Sequence, residues 1–114
     1  MRITIIVDNL AERGGLFAEH GFALYLETSE KRILFDTGAS GVALLHNAQR
    51  LGIDLALVDE LVISHGHSDH TGGLGAFLSV NTRARIRMSP AGWLPKYKGR
   101  EAYIGHQLPS EAFE

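Results

Sequence analysis

The sequence predicts an α/β fold in which helices pack on a β-sheet. Short runs of β-branched and apolar residues, bounded by turn residues, recur along the chain and predict strands. Between two of these runs, apolar residues recur at the spacing of an amphipathic helix. The chain has 114 residues, of which 45% are hydrophobic and 21% are charged, a composition typical of a folded globular protein. We expect one domain over residues 1–114.

The first three runs predict three strands. Residues 2–8 are β-branched and apolar, and the loop after them contains Gly14 and Gly15. Residues 21–28 alternate between two sets of side chains, as expected for a strand with two different faces. A polar turn leads from there to residues 32–36, so we expect the second and third strands to form a hairpin.

A helix is predicted between the third and fourth strands. Ser40 is a suitable N-cap and Gly52 a suitable end, because both residue types are preferred at these positions. The apolar residues between the cap and the end recur at helical spacing and are Val42, Leu44, Leu45, Ala48 and Leu51. The segment is therefore predicted to be an amphipathic helix that packs on the sheet.

The next part of the chain predicts a strand, a short helix and a further strand. Residues 60–64 form an apolar run, and residues 72–78 form a short helix that Thr71 would cap. Residues 84–88 predict the fifth strand, where apolar residues alternate with three arginines, Arg83, Arg85 and Arg87. These arginines would either bind a phosphate group or keep an exposed strand face soluble, and the second interpretation is favoured.

Four possible metal ligands lie within six residues directly after the fourth strand, namely His65, His67, Asp69 and His70. In an extended or turning backbone, the first two histidines can point to one side while the Asp-His pair reaches a second position nearby. The chain has no cysteine, so a metal site would depend on imidazole and carboxylate groups. A lone loop histidine is usually a surface or hydrogen-bonded residue, but this clustering favours a metal site. Two metals about 3.5–4 Å apart can share a hydroxide and polarise a substrate oxygen.

Residues 64–73 resemble the ligand motif of the metallo-β-lactamase superfamily, and residues 34–38 resemble its earlier aspartate motif. The resemblance implies an αββα sandwich with a mixed sheet, to which this chain would contribute the N-terminal half. It also implies a site for two metals, with Zn²⁺ as the expected cofactor and iron or manganese as alternatives.

The resemblance gives each motif residue a role. His65 and His67 would bind the first metal. Asp69 and His70 would bind the second, and Asp69 would also act in catalysis. Asp36 would be buried and would brace the ligand loop through hydrogen bonds, with a turn-forming aspartate as the alternative interpretation.

One branch of the superfamily is similar to this sequence over most of its length. It includes proteins resembling dihydropterin ribofuranosylaminobenzene phosphate synthase, which are linked to methanopterin biosynthesis. The similarity is carried by residues 6–9, 18–22, 33–38, 44–48 and 103–105. This resemblance would place His20 near the site entrance, with a structural hydrogen bond as the alternative. Gly72 and Gly73 would let the backbone pass close to the metals.

The superfamily domain is roughly twice as long as this chain, and its second half supplies the remaining ligands. His106 is the only histidine after the motif, and its loop setting does not match a ligand at a strand end. We therefore expect an N-terminal half-domain that exposes one edge and one face of its sheet. Burial of these surfaces would favour a homo-oligomer.

These features predict a metal-dependent hydrolase or group-transfer protein acting on a small molecule, with a phosphorylated substrate as one option. The alternative is a catalytically inactive module that binds metal or forms oligomers. The formal net charge of −2 provides no basic field to attract nucleic acid or a membrane surface. A cytoplasmic location is expected, because the sequence has no signal-peptide layout and no apolar run long enough to cross a bilayer.

Overall fold

The computed structural model describes residues 1–11, 14–89, 97–98 and 102–103. Its first half contains β1 (Arg2–Val7), β2 (Ala23–Glu27), β3 (Arg32–Phe35), α1 (Val42–Arg50) and a 3₁₀ turn at Leu55–Leu57. Its second half contains β4 (Glu60–Ile63), α2 (Ser68–Thr71), α3 (Leu74–Val80), β5 (Arg85–Met88), β6 (Tyr97–Lys98) and β7 (Ala102–Tyr103). The five strands predicted from the sequence are all present, with ends that differ by one or two residues.

Strands β1 to β5 form one mixed sheet in which they lie side by side in chain order. The β1–β2 and β2–β3 pairs are antiparallel, as predicted for the hairpin, whereas the β3–β4 and β4–β5 pairs are parallel. Parallel neighbours need crossover connections, and α1 supplies the first while α2 and α3 supply the second. Strands β6 and β7 pair with each other in a separate antiparallel ladder. The predicted α/β class and mixed sheet are confirmed.

The core lies between one face of the sheet and the helices α1 and α3. Tyr25, Leu34 and Leu61 stand side by side on this face, because they are register partners on three neighbouring strands. All three are buried, and Leu44 of α1 and Phe77 of α3 belong to the same apolar cluster. The helices α1 and α3 therefore cover this face of the sheet.

The start of α1 differs from the prediction, because Gly41 and not Ser40 is the N-cap. Gly41 has a φ of 83°, and a Cβ atom there would lie 2.6 Å from Cβ of Ala76 in α3. Only glycine satisfies both the left-handed backbone and the close approach of the second helix. Ser40 still contributes to the first turn, since its hydroxyl accepts a hydrogen bond from the Val42 amide at 3.2 Å.

The buried face of α1 is also rotated relative to the prediction. Val42 and Leu45 are 62% and 36% exposed, whereas Asn47 is 1% exposed. The Asn47 amide nitrogen donates to the carbonyl oxygens of Ile6 and Phe17, each at 2.8 Å, and its oxygen accepts from the Phe17 amide at 2.8 Å. These bonds to β1 and the loop after it explain why a polar residue of α1 faces inward.

The predicted helix over residues 72–78 is observed as α3, which begins two residues later with Gly73 as its N-cap. Leu74 and Phe77 are buried as expected for its inner face. Thr71 is not an N-cap, because it is the last residue of α2, and its hydroxyl donates to the carbonyl oxygen of His67 at 3.1 Å.

The arginines near β5 form contacts with carboxylates at the opposite end of the sheet from the histidine motif. Arg83 precedes the strand and donates to the Asp59 carboxylate, while Arg87 Nε lies 3.2 Å from Oε2 of Glu60. A hydrogen bond from Lys31, with a smaller contribution from Arg87, lowers the pKa of Glu60 below its ordinary value. These pairs favour the interpretation of the arginines as a solubilising strand surface.

No helix in the part of the chain that the structure describes combines the length and apolar character needed to cross a membrane.

Candidate metal centre

The site is built where two parallel strands end at the same edge of the sheet. Asp36 follows β3, and Ser64 follows the neighbouring β4. Since the carboxyl ends of parallel strands meet at one edge, residues separated widely in sequence become adjacent. The motif continues from this edge through His65 and His67 into α2, which carries Asp69 and His70 on one helical turn. The ligand segment is therefore partly helical, whereas the sequence predicted an extended or turning backbone.

Three of the four predicted ligands converge on one point. His65, Asp69 and His70 each offer a ligand atom, and these atoms lie within 4.8 Å of one another. The His65 ring centroid is 4.2 Å from that of His70 and 4.8 Å from that of His67. Oδ2 of Asp69 lies 3.5 Å from Nε2 of His70. His67 is exposed and stands next to the cluster, beside His65.

Asp36 lies beneath this cluster and is 1% exposed. Its carboxylate accepts from the Ser64 amide at 2.7 Å and from the Ser64 hydroxyl at 2.6 Å, and Oδ2 lies 2.7 Å from Nδ1 of His70. The residue has a φ of 61°, a conformation that aspartate tolerates better than most residues but that still carries strain. Asp36 is thus buried and is hydrogen-bonded to two residues of the histidine motif segment, Ser64 and His70.

The hydrogen bonds around Asp36 assign the protonated nitrogen of two histidines. The buried carboxylate can only accept, so Nδ1 of His70 carries the proton. The Ser64 hydroxyl donates to Asp36, so its oxygen is left to accept from Nδ1 of His65 at 2.8 Å. In the neutral form of each imidazole, Nε2 then carries no proton and can bind a metal. This donor set fits a metal ion.

The titration of His65 is consistent with this assignment. Burial lowers the pKa of His65 below its ordinary value, and the neighbouring His70 and His67 lower it further. A lowered pKa keeps the imidazole neutral at neutral pH, which is the form that binds a metal.

Glycines allow the ligand segment to pack directly on the loop after β3. A Cβ atom at Gly72 would lie 1.7 Å from the Ala39 carbonyl oxygen, and one at Gly73 would lie 2.2 Å from the Thr37 carbonyl oxygen. The sequence predicted that these glycines bring the backbone close to the metals. In the structure these glycines bring two backbone segments close together, Gly72–Gly73 and the loop after β3.

Thr37 is a site residue that the sequence analysis missed. Its amide and its hydroxyl both donate to the carbonyl oxygen of His70, each at 2.9 Å, and its hydroxyl oxygen accepts from the Gly73 amide at 3.1 Å. Its position directly after Asp36 in the aspartate motif was the available signal. Ser64 was also given no role of its own in the sequence analysis. Its position directly after β4, beside the end of β3, was the feature that could have indicated one.

The remaining histidines differ in their relation to the site. His20 lies at its rim, with Nε2 at 3.5 Å from Oδ2 of Asp69. The ring of His46 instead stacks on Phe17 at 3.8 Å, away from the cluster. His106 lies outside the described residues.

Comparison with known proteins yields a match to one family. The sequence profile of the Metallo-beta-lactamase superfamily matches residues 17–102. Among solved structures, Tm1679, a metal-dependent hydrolase of the beta-lactamase superfamily, superposes with a TM-score of 0.72 and 35% identity, over 92% of this chain and 36% of that chain.

Two relatives with named activities also match. The 7,8-dihydropterin-6-methyl-4-(beta-D-ribofuranosyl)-aminobenzene-5'-phosphate synthase of Methanocaldococcus jannaschii is 33% identical over 92 residues, which are 76% of this chain and 31% of that protein. The exodeoxyribonuclease WalJ of Streptococcus pneumoniae is 45% identical over 103 residues, covering 82% of this chain and 37% of that protein. This chain therefore spans between 31% and 37% of the length of these three proteins.

Proposed function

Because this chain belongs to the metallo-β-lactamase superfamily, we propose that it carries ligands of a two-metal site used for hydrolysis or group transfer. The observation that carries the proposal is the hydrogen-bonded set around Asp36, which engages Nδ1 of His65 and His70 and leaves their Nε2 atoms available beside the Asp69 carboxylate. A histidine cluster without such bracing would be free to adopt many side-chain orientations.

The proposed chemistry divides between the metals and the protein. Bound metals would supply Lewis acidity and make water a better nucleophile near neutral pH. His65, His67, Asp69 and His70 are the proposed ligands, and Asp69 also belongs to the catalytic step. Asp36 holds Nδ1 of His70 directly and Nδ1 of His65 through the Ser64 hydroxyl, and would thereby keep the ligand nitrogens directed toward the metals. Zn²⁺ is the proposed metal, since three imidazoles and a carboxylate suit it well.

We propose a small, phosphate-bearing substrate. The named relatives support the phosphate-bearing character of the substrate, because one is named a 5'-phosphate synthase and the other an exodeoxyribonuclease, and DNA also carries phosphate groups. The formal net charge of −2 favours a small molecule over nucleic acid. A cytoplasmic location belongs to the same proposal.

Metal analysis of the full chain tests this proposal. Protein purified without chelators and without an affinity tag should contain metal, approaching two equivalents per chain if the ligand sets are complete. The variants His65→Ala and His70→Ala should lose most of it. His46→Gln is the matched control and should retain it, because His46 lies outside the cluster. A parent chain that neither contains nor takes up Zn²⁺ would contradict the proposal and favour an inactive oligomerising module.

Activity is tested separately with phosphomonoester and phosphodiester substrates. The metal-loaded parent should hydrolyse or transfer at least one of them, and His67→Ala should abolish that reaction. Metal binding without activity on such substrates would instead support the non-catalytic metal-binding module.

A further inference from the structure

His20 is an exposed residue in direct contact with the site. Its side chain is 83% exposed, and its Nε2 atom lies 3.5 Å from Oδ2 of Asp69. The same carboxylate oxygen lies 3.5 Å from Nε2 of His70. The Asp69 oxygen is thus placed between His70, a partly buried histidine of the cluster, and His20 at the rim.

The backbone before His20 is fixed on two sides. The Glu19 amide donates to the Asp8 carbonyl oxygen at 3.1 Å, which ties the loop to the end of β1. The Glu19 carboxylate accepts from the Ala39 amide at 2.9 Å and from the Ser40 hydroxyl at 2.7 Å. These bonds attach the loop to the segment that follows Asp36.

The backbone after His20 is hydrogen-bonded to α2, the helix that carries Asp69 and His70. The Phe22 amide donates to the carbonyl oxygen of Asp69 at 3.3 Å, and the Phe22 carbonyl accepts from the Gly38 amide at 2.9 Å. A Cβ atom at Gly21 would lie 2.5 Å from the same Asp69 oxygen. Glycine is therefore required next to His20 for the loop to approach α2 this closely.

A histidine with a purely structural role would be expected to pack like His46. That ring stacks on Phe17 at 3.8 Å, and its Nε2 bonds to the Gly15 carbonyl oxygen at 2.6 Å. His20 shows the opposite arrangement, with a firmly held backbone and a largely solvated side chain. A pair with so exposed a partner as His20 contributes little to folding stability.

We propose that His20 is a positioning residue for Asp69, whose carboxylate it holds toward the metal by donating a hydrogen bond from Nε2. This inference rests on the proposed metal-binding function. Loss of a residue that hydrogen-bonds to a metal ligand typically lowers the affinity for the metal. Because His20 is exposed, we expect a decrease of about tenfold.

Titration of the full chain with Co²⁺ tests this role, because the visible absorption of bound Co²⁺ reports both occupancy and ligand geometry. The variants are His20→Ala, which removes the donor, and His20→Gln, whose amide nitrogen can replace Nε2. We expect a dissociation constant raised about tenfold and an altered spectrum for His20→Ala. His20→Gln should restore the parent behaviour. Urea unfolding of the metal-free proteins should be the same for all three.

The outcomes separate this inference from the proposal on which it rests. A parent that binds Co²⁺ together with an unaffected His20→Ala variant overturns the role of His20 alone. Equal losses in the Ala and Gln variants, or a matching loss of stability, would show that packing and not hydrogen bonding is responsible, and also overturn it. A parent that binds no Co²⁺ overturns the metal-binding function and this inference together.

Discussion

At the scale of single residues, Asp36 determines how the site is organised. Its buried carboxylate accepts hydrogen bonds from the Ser64 amide and hydroxyl and contacts Nδ1 of His70. The Ser64 hydroxyl in turn bonds to Nδ1 of His65, so the carboxylate is linked to both histidines. Its backbone adopts a strained left-handed conformation, and the surrounding hydrogen bonds stabilise it there. The local sequence supplies the aspartate, but its function depends on residues about thirty positions later.

Asp36→Ala should impair folding and metal binding together. Ser64 and His70 would lose a charged partner in a buried place, so we expect the free energy of unfolding to fall by about 3 kcal/mol. Metal affinity should fall by about 10–100-fold, because Nδ1 of His70 would no longer be held. Urea unfolding and Zn²⁺ titration measure the two effects.

Asp8→Ala is the control for this prediction, because Asp8 is an exposed carboxylate that accepts a hydrogen bond from the Asn9 amide. Unchanged Zn²⁺ affinity in Asp36→Ala would contradict the bracing role.

At the scale of elements, the sheet edge is completed by two segments in direct backbone contact. The loop after β3 lies against the junction of α2 and α3, where the Gly73 amide donates to the Gly38 carbonyl oxygen at 3.2 Å. Gly73 cannot carry a side chain at this contact, because a Cβ atom there would stand 2.2 Å from the Thr37 carbonyl oxygen. The position of α2 relative to Asp36 depends on this packing.

Gly73→Ala should therefore destabilise the fold. The added methyl group forces the two segments apart, and we expect a loss of about 2–3 kcal/mol in the free energy of unfolding. Gly14→Ala is a matched control, since a Cβ atom there meets nothing within 4 Å. It should change stability by less than about 0.5 kcal/mol. Equal effects of the two substitutions in urea unfolding would show that the close contact is unimportant.

At the scale of the whole molecule, the sheet has a covered face and an exposed face. Ile3 and Ile5 of β1 are 57% and 53% exposed. They are register partners of Leu26 and Leu24, so these four side chains lie on the face opposite the core. Strand β1 is also at the edge of the sheet, with backbone groups on one side free of a neighbouring strand of that sheet. Both features favour association with a second copy of the chain.

The homo-oligomer thus remains a prediction, with β1 and its exposed face as the proposed contact. Light scattering at about tens of micromolar should show a mass above that of one chain. The double variant Ile3→Thr/Ile5→Thr should shift the protein toward the monomer. Val42→Thr, which removes an exposed aliphatic group from α1, should not. A parent chain that is monomeric at this concentration would refute the prediction.

The sequence alone was sufficient for the five strands of the main sheet, the presence of the helices α1 and α3 and the candidate ligands. Alternation and helical spacing are local patterns, and the ligand types are visible directly as His65, His67, Asp69 and His70. Local patterns could not identify the buried side of α1, because Asn47 faces inward only through bonds to residues on β1 and its loop. They also could not identify Gly41 as the cap, since its contact with Ala76 joins two different helices.

The tertiary structure decided how the ligands are held. The bond between Asp36 and His70 joins residues 34 positions apart, and the contact between His20 and Asp69 joins a loop to a helix. Both depend on the parallel pairing of β3 with β4, which brings the two strand ends to one edge. Residue types and spacing therefore determined which groups could bind a metal. Strand pairing and close backbone packing determined their partners, because these contacts exist only once distant segments have been brought together.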